Sequence, residues 1–265
     1  MQFDEYIGRW QLIPDGEPII THSSRLLPVK RNGAPAMLKI AVEPDEKAGG
    51  AVMVWWNGEG AAKVLAHHKD ALLLERAEGT RSLAAMARNG EDEAATRILC
   101  TATMRLHAPK NGPRPALKSL KDWFRDLTLH GHKYGGVITE AARMAEQLLD
   151  AQQEEVVLHG DVHHDNFLDF EERGWLAIDP KWIIGDRAFD YANIFCNPDF
   201  ASATPRERFF SRLQTVTEMT GIDRQRMLRW TLAWTGLSAV WFLEDNMNAD
   251  IDLAIGEMAL AELRK

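Results

Sequence analysis

The sequence predicts an α+β fold in two lobes: a small N-terminal antiparallel sheet with one helix, then a larger, mainly helical C-terminal part. Three observations carry this. Short β-type runs separated by turns fill residues 1–76, helical i, i+4 stripes dominate residues 80–265, and a strand–loop–strand segment interrupts the helical pattern near residue 160. Residues 77–79 form the connector. A length of 265 residues suits this division, because a single hydrophobic core stops growing near about 250–300 residues.

In the first part, Ile19-Ile20-Thr21, Ser24-Arg25-Leu26-Leu27-Pro28-Val29 and Ala36-Met37-Leu38-Lys39-Ile40 read as strands. Asn32-Gly33 between the last two is a strong hairpin signal, since both residues tolerate positive φ. A helix from about Glu43 to Trp56 follows, ended by Asn57-Gly58, and two more strands fit residues 62–66 and 71–75. In the second part, Ile98, Ala102 and Leu106 mark one helix, Leu117, Leu120, Phe124 and Leu127 another, and Ile138, Ala141, Ala145 and Leu148 a third. Residues 108–115 hold too much Pro and Gly for anything but a surface loop. Short strands are expected at 156–158, 167–170 and 175–178. Helices follow at about 187–196, 205–220, 224–243 and 250–263, with Asp223 as an N-cap.

Apolar residues at 45% and charged residues at 26% are those of an ordinary soluble globular protein. A net charge of −8 argues against a nucleic-acid backbone as partner, because that binding relies on Lys and Arg displacing counterions. It suits a cationic or polar small molecule. Cys100 and Cys196, both in apolar helical-looking sequence, suggest reduced core thiols. No signal stretch opens the chain, and no run approaches the about 18 apolar residues of a membrane span. A soluble, cytoplasmic protein is expected, with its oligomeric state left open.

The most informative stretch is His159-Gly160-Asp161-Val162-His163-His164-Asp165-Asn166, followed by Ile178-Asp179-Pro180. These are the parts that phosphoryl transfer to a hydroxyl needs. One carboxylate takes the acceptor's proton, while an amide and a second carboxylate hold magnesium on the nucleotide phosphates. The flanking strands put Asp161 and Asn166 on one tight loop and Asp179 at the end of the returning strand, so the three can converge. Asp and Asn are common in loops, and either alone would mean little; the ordered set is what carries weight. A rival reading makes His159, His163, His164 and Asp165 zinc ligands. The segment is a loop between strands, not a zincin helix, which argues against that.

Lys39 lies between Leu38 and Ile40 on a strand, where a lysine ordinarily faces solvent. Ahead of the Asp…Asn…Asp set it fits the lysine that pairs with the α- and β-phosphates. That role requires an acidic partner on the adjoining helix. Glu46 is the first candidate and Glu43 the second, although an acid there also complements a helix dipole. No glycine-rich repeat occupies Thr21 to Leu26, so Ser23 and Ser24 would have to cover the phosphates with hydroxyls and backbone N–H groups. Glu75 and Ala77 fall on the connector, where backbone groups can meet the edge of adenine.

Together these residues resemble the aminoglycoside phosphotransferase superfamily, and within it the streptomycin 6-phosphotransferase and hydroxyurea phosphotransferase group. The likeness covers nearly the whole chain. Its specific pieces are Ala36-Met37-Leu38-Lys39, residues 56–62, Leu73-Leu74-Glu75, residues 159–166, residues 174–180, Gly185-Asp186, Asp190-Tyr191-Ala192-Asn193 and Asn197-Pro198. The resemblance implies a protein-kinase-like two-lobed fold and ATP-dependent phosphorylation of a small molecule's hydroxyl, with Mg2+. It implies Asp161 as the base, Asn166 and Asp179 as magnesium ligands, and Lys39 as the triphosphate lysine. Asp190, alternatively a surface N-cap, would accept backbone N–H bonds from the catalytic loop beside His159. The chain departs from protein kinases at Asp179-Pro180-Lys181, where Phe-Gly would follow the Asp, so no phosphorylated activation segment is expected. Lys181 either touches a phosphate or faces solvent.

A polycationic acceptor calls for acids and aromatic faces. Glu244 and Asp245 after Trp241 and Phe242 offer both, as does Trp123 with Asp122 and Asp126; core packing and a solvated acidic face are the plainer readings. Two rivals remain: a kinase for an unrelated hydroxylated metabolite, and a nucleotide-binding regulator without turnover. Fold likeness never fixes substrate.

Overall fold

The structure, a computed structural model, describes residues 3–265; residues 1 and 2 of the expected first lobe lie outside them. The first part runs α1 (Asp4–Trp10), β1 (Leu12–Pro14), β2 (Ile19–Ile20), β3 (Ser24–Arg31), β4 (Ala34–Ala41), α2 (Pro44–Trp56), β5 (Val64–His68) and β6 (Ala71–Glu75). Its antiparallel sheet has the order β1-β3-β4-β6-β5, with β2 also paired to β3. Asn32 and Gly33 turn the β3–β4 hairpin with φ of 52° and 81°, which sets Leu26 opposite Lys39. Period-two alternation then sends Ala36, Leu38 and Ile40 to one face of β4 and Lys39 to the other.

The expected single helix of this part is corrected to two. α1, short and interrupted by Gly8, has little helical signal of its own. Phe3 and Tyr6 bury against Leu27, Val29, Leu38, Ile40 and Leu73, so the tertiary contact, not propensity, makes it form. α2 was expected. Pro44 starts it, Asp45 and Glu46 fill its first turn, and Asn57 ends it at φ 48°.

The second part contains α3 (Leu83–Arg88), α4 (Asp92–His107), β7 (Lys118–Ser119), α5 (Leu120–Trp123), α6 (Arg125–His130), α7 (Gly136–Asp150), β8 (Glu155–Leu158), β9 (Phe167–Asp169), β10 (Trp175–Ala177) and β11 (Ile183–Asp186). A 3-10 helix (Arg187–Cys196) follows, then α8 (Phe200–Ala203), α9 (Arg206–Thr220), α10 (Arg224–Glu244) and α11 (Asp250–Leu263). β9 and β10 form the expected hairpin, but β8 pairs with β11, a strand absent from the sequence reading, in a sheet ordered β7-β11-β8. The stripe expected as one helix over 117–127 breaks into α5 and α6 at Phe124.

The core on the α2 side of the sheet is continuous with that of the second part: Val52, Met53 and Trp56 join Leu99, Leu158, Phe167 and Leu176. Backbone bonds tie the parts as well, from Ala62 N to Ala177 O at 2.9 Å and from Ala177 N to Gly60 O at 3.0 Å. At Gly49 a Cβ would lie 2.2 Å from Pro180 O, so α2 can rest on the Asp179–Pro180 turn only because that position is glycine. Among the described residues no helix is long and apolar enough to cross a membrane.

Candidate active site

Lys39 is buried at 6% exposure. Its Nζ lies 2.7 Å from Glu46 Oε2 and 2.5 Å from Asp179 Oδ1, so β4, α2 and the turn after β10 meet on one ammonium. Burial pulls this ammonium down, but Asp179 and Glu46 outweigh it and hold it above its ordinary value. Lys39 is therefore held in its charged form between two carboxylates.

Ser23 and Ser24 engage the acid beside Lys39. Their hydroxyls point to the Glu46 carboxylate at 3.3 and 3.5 Å, and the Ser24 N–H is taken by Thr21 Oγ1 at 3.0 Å. The pair helps orient Glu46, because a carboxylate held by Lys39 leaves lone pairs that nearby hydroxyls satisfy. The Glu75 carboxylate accepts from Lys63 N at 2.6 Å and pairs with Arg173, joining the sheet to the β9–β10 turn. Ala77 lies half-buried in the extended segment after β6, which Gly79 pins through its N–H to Asp169 O at 3.1 Å.

The loop after β8 is held from below. Asp190, at 2% exposure, accepts from His159 N at 2.8 Å, Gly160 N at 2.7 Å and His107 Nε2 at 2.7 Å, so it is no surface cap. His159 is buried between Trp56 and Phe167. Burial pushes its imidazole down, and the neutral ring can donate from Nε2 to Ile178 O at 2.8 Å while Nδ1 accepts Asp161 N at 3.2 Å. The same ring thus braces both segments that carry Asp161 and Asp179.

Asp161 projects from this loop with its side chain 25% exposed. Asn193 Nδ2 donates to its Oδ1 at 2.9 Å, and Lys181 Nζ lies 3.3 Å from its Oδ2. Burial pushes the carboxyl up, but Lys181 and then His163 outweigh this and hold it below its ordinary value, ionised and able to accept a proton. Asn166 donates from Nδ2 to Asp161 O at 2.9 Å, leaving its amide oxygen to accept. Ile178 N donates to Asn166 O at 2.9 Å and so sets Asn166 close in the chain path to Asp179. The histidine cluster does not converge: among the described residues no group of three His, Cys, Asp or Glu could hold a metal ion.

Beside this centre opens a cleft of about 710 Å³. Trp123, Trp182 and Trp241 give it aromatic faces, and Asp45, Asp122 and Asp126 give it negative charge against Lys118 and Arg125. Trp241 Nε1 donates to Asp126 Oδ2 at 2.8 Å, and Lys118 Nζ sits 5.2 Å from the Trp123 ring. Glu244 and Asp245, expected here, do not line it. α10 ends at Glu244, which instead contacts His130 Nδ1 at 2.8 Å and Lys133 Nζ at 3.1 Å, and Asp245 is exposed past the helix end.

Sequence reasoning gave no role to Asn193, His107, Lys118 or Trp182. Asn193 had a usable signal: it lies three residues after Asp190, and three residues complete one turn of a 3-10 helix, so both share a face. His107 and Lys118 are brought in from distant segments, and Trp182 follows Lys181 directly.

A family profile described as aminoglycoside/hydroxyurea antibiotic resistance kinase matches residues 9–246. A streptomycin 3''-kinase of Klebsiella pneumoniae is 49% identical over 260 residues, covering 95% of this chain and 97% of that protein. A streptomycin 6-kinase of Streptomyces griseus is 29% identical over 286 residues, covering 97% and 86%. Among solved structures, a thermostable mutant of an aminoglycoside phosphotransferase, in a ternary complex with ADP and hygromycin B, superposes with a TM-score of 0.66 at 15% identity. It covers 100% of this chain and 98% of its own. The fold is thus the protein-kinase-like one, and with a profile that spans most of its length this chain belongs to the aminoglycoside/hydroxyurea antibiotic resistance kinase family.

Proposed function

We propose that this kinase transfers the γ-phosphoryl of ATP to a hydroxyl of streptomycin, with the 3''-hydroxyl as the position. The 49% identity to a streptomycin 3''-kinase over nearly both full lengths supports the acceptor. The observation that carries the chemistry is the pair of contacts Lys39–Asp179 and Lys181–Asp161, which bring a nucleotide side and an acceptor side within two residues of chain. In this reading residues 1–76 are the nucleotide-binding lobe, 77–79 the connector that meets adenine, and 80–265 the catalytic and acceptor-binding lobe. ATP and the buried free thiols Cys100 and Cys196 suit a cytoplasmic setting.

Asp161 takes the acceptor's hydroxyl proton as that oxygen bonds to the γ-phosphorus and the bridge to the β-phosphate breaks. Lys39, held by Glu46, steadies the α- and β-phosphates. Asn166 and Asp179 fit Mg2+, since an amide oxygen and a carboxylate oxygen remain available and hard oxygen ligands suit that ion. Bound there, Mg2+ would neutralise phosphate charge. The tryptophans and acids of the cleft match a guanidinium-bearing sugar acceptor.

The test is magnesium-dependent ADP release over a panel of streptomycin, other aminoglycosides, hydroxyurea, choline and sugars, with Asp161→Asn alongside. NMR of the product then locates the phosphate. Stimulation by streptomycin that collapses in the variant, with a 3''-phosphate, is expected. Stimulation by another acceptor alone, or a 6-phosphate, would refute the assignment, and bound ATP with no stimulation would point to a regulator.

A further inference from the structure

We propose that Lys181 contacts the transferring phosphoryl group and stabilises the charge that develops on it. This inference rests on the kinase reading above. Lys181 is placed by several independent constraints. Its backbone N–H donates to His159 O at 2.7 Å, which fixes it to the catalytic loop. Its stem passes over Gly160, where an added Cβ would lie 2.9 Å from Lys181 Cβ and 3.2 Å from its Cγ. Gly160 has φ 77°, so both the backbone and the space at that position suit glycine, and the lysine runs through the space left.

The ammonium ends 3.3 Å from Asp161 Oδ2, and the two side chains have matching exposures of 26% and 25%. Both therefore face one opening. The other Asp161 oxygen is already engaged by Asn193, so Lys181 sits on the oxygen turned toward the opening. Two residues upstream, Asp179 Oδ1 is on Lys39 at 2.5 Å. In the kinase reading a γ-phosphoryl moves from the Lys39–Asp179 side toward a hydroxyl beside Asp161. Lys181 is the segment's cation at that crossing. His163 Nε2, another basic group near Asp161, lies 3.9 Å from Oδ1, on the side already occupied by Asn193.

In-line transfer spreads negative charge over the equatorial oxygens of the moving group, and a preorganised cation there contributes most in the transition state. The bond from the acceptor oxygen to phosphorus forms, the bond from phosphorus to the bridging oxygen breaks, and the acceptor proton passes to Asp161. Asp161 is the partner of Lys181, and an arriving phosphoryl would share the ammonium with it.

The experiment compares Lys181→Met, Lys181→Arg and Lys181→Ala with the parent, by steady-state kinetics with ATP and streptomycin, ATP binding by calorimetry and thermal melting. For Lys181→Met, kcat should fall on the order of 100-fold, with the KM values and the ATP affinity held within about threefold. Lys181→Arg should keep part of the rate, and added ethylammonium should restore part of it to Lys181→Ala. A kcat within about threefold of the parent would overturn the inference. So would a loss confined to KM, or a lowered kcat that neither Arg nor ethylammonium recovers. An inactive parent enzyme would instead overturn the kinase reading itself and this inference with it.

Discussion

Replacing Asp190 by Asn changes one oxygen into an NH2 in a buried site that needs only acceptors. The carboxylate takes the N–H groups of His159 and Gly160 and the His107 ring, at 2.7 to 2.8 Å. An amide has one acceptor oxygen, so whichever way it turns, one backbone N–H of the loop after β8 faces a donor. A stranded buried N–H costs about 1–3 kcal/mol, and each bond that survives loses roughly 1 kcal/mol with the charge. The expected loss is about 4 kcal/mol, a large share of the about 5–15 kcal/mol that keeps a domain folded. Because His159 also positions Asp161 N and Ile178 O, a loop shift of about 1 Å should lower kcat on the order of 100-fold. ATP affinity should fall less than kcat, since the Lys39–Glu46 contact lies away from Asp190. Urea unfolding and acceptor-stimulated ADP release measure both effects. A variant that loses less than about 1 kcal/mol and keeps its kcat would refute this account of the loop.

Lys39→Met should lower kcat/KM for ATP by about 100-fold or more, because Glu46 and Asp179 then face each other without the cation between them; kinetics with varied ATP reads it. Trp123→Ala and Asp126→Asn should each raise KM for streptomycin about tenfold with little change in kcat, since they remove uniform binding; an unchanged KM would move the acceptor out of the cleft. Burial, against hydrogen bonds from Ser238 and Cys196, pushes the Asp252 carboxyl from 3.8 up to about 6. The folded chain then holds that proton longer than the unfolded one, so its contribution is full below the unfolded value and is lost as pH rises to about 6. The loss amounts to about 3 kcal/mol. Asp252→Asn should erase that slope and exceed the parent's stability at pH 7.5, as urea midpoints at pH 5 and 7.5 would show.

Features governed by neighbouring residues were legible in the sequence. The Asn32-Gly33 turn, the Pro44 start and Asn57 stop of α2, and the strand–loop–strand around Asp161 all act through local backbone preferences, and the structure has each of them. The register that turns Lys39 away from the α1-side core follows from the same turn and period-two alternation. The opposite held for elements that exist only by contact. α1 forms because the outer face of the sheet needs cover, and β11 because β8 needs a partner. Neither has a strong signal of its own.

Within the site the same division applies. Residue types and their spacing were enough to pick out Lys39, Asp161, Asn166 and Asp179 as candidates, and the family resemblance added Asp190. Which groups touch was decided by tertiary structure alone. Lys39 and Asp179 are 140 residues apart in sequence, Asp161 and Asn193 are 32 apart, and Ser23 reaches Glu46 across 23. So too for the cleft: helix periodicity allowed Trp241, Glu244 and Asp245 to share a direction, but where α10 stops left only Trp241 facing it. Local chemistry names the candidate groups; their distances come from how a whole chain packs, which no short stretch of residues encodes.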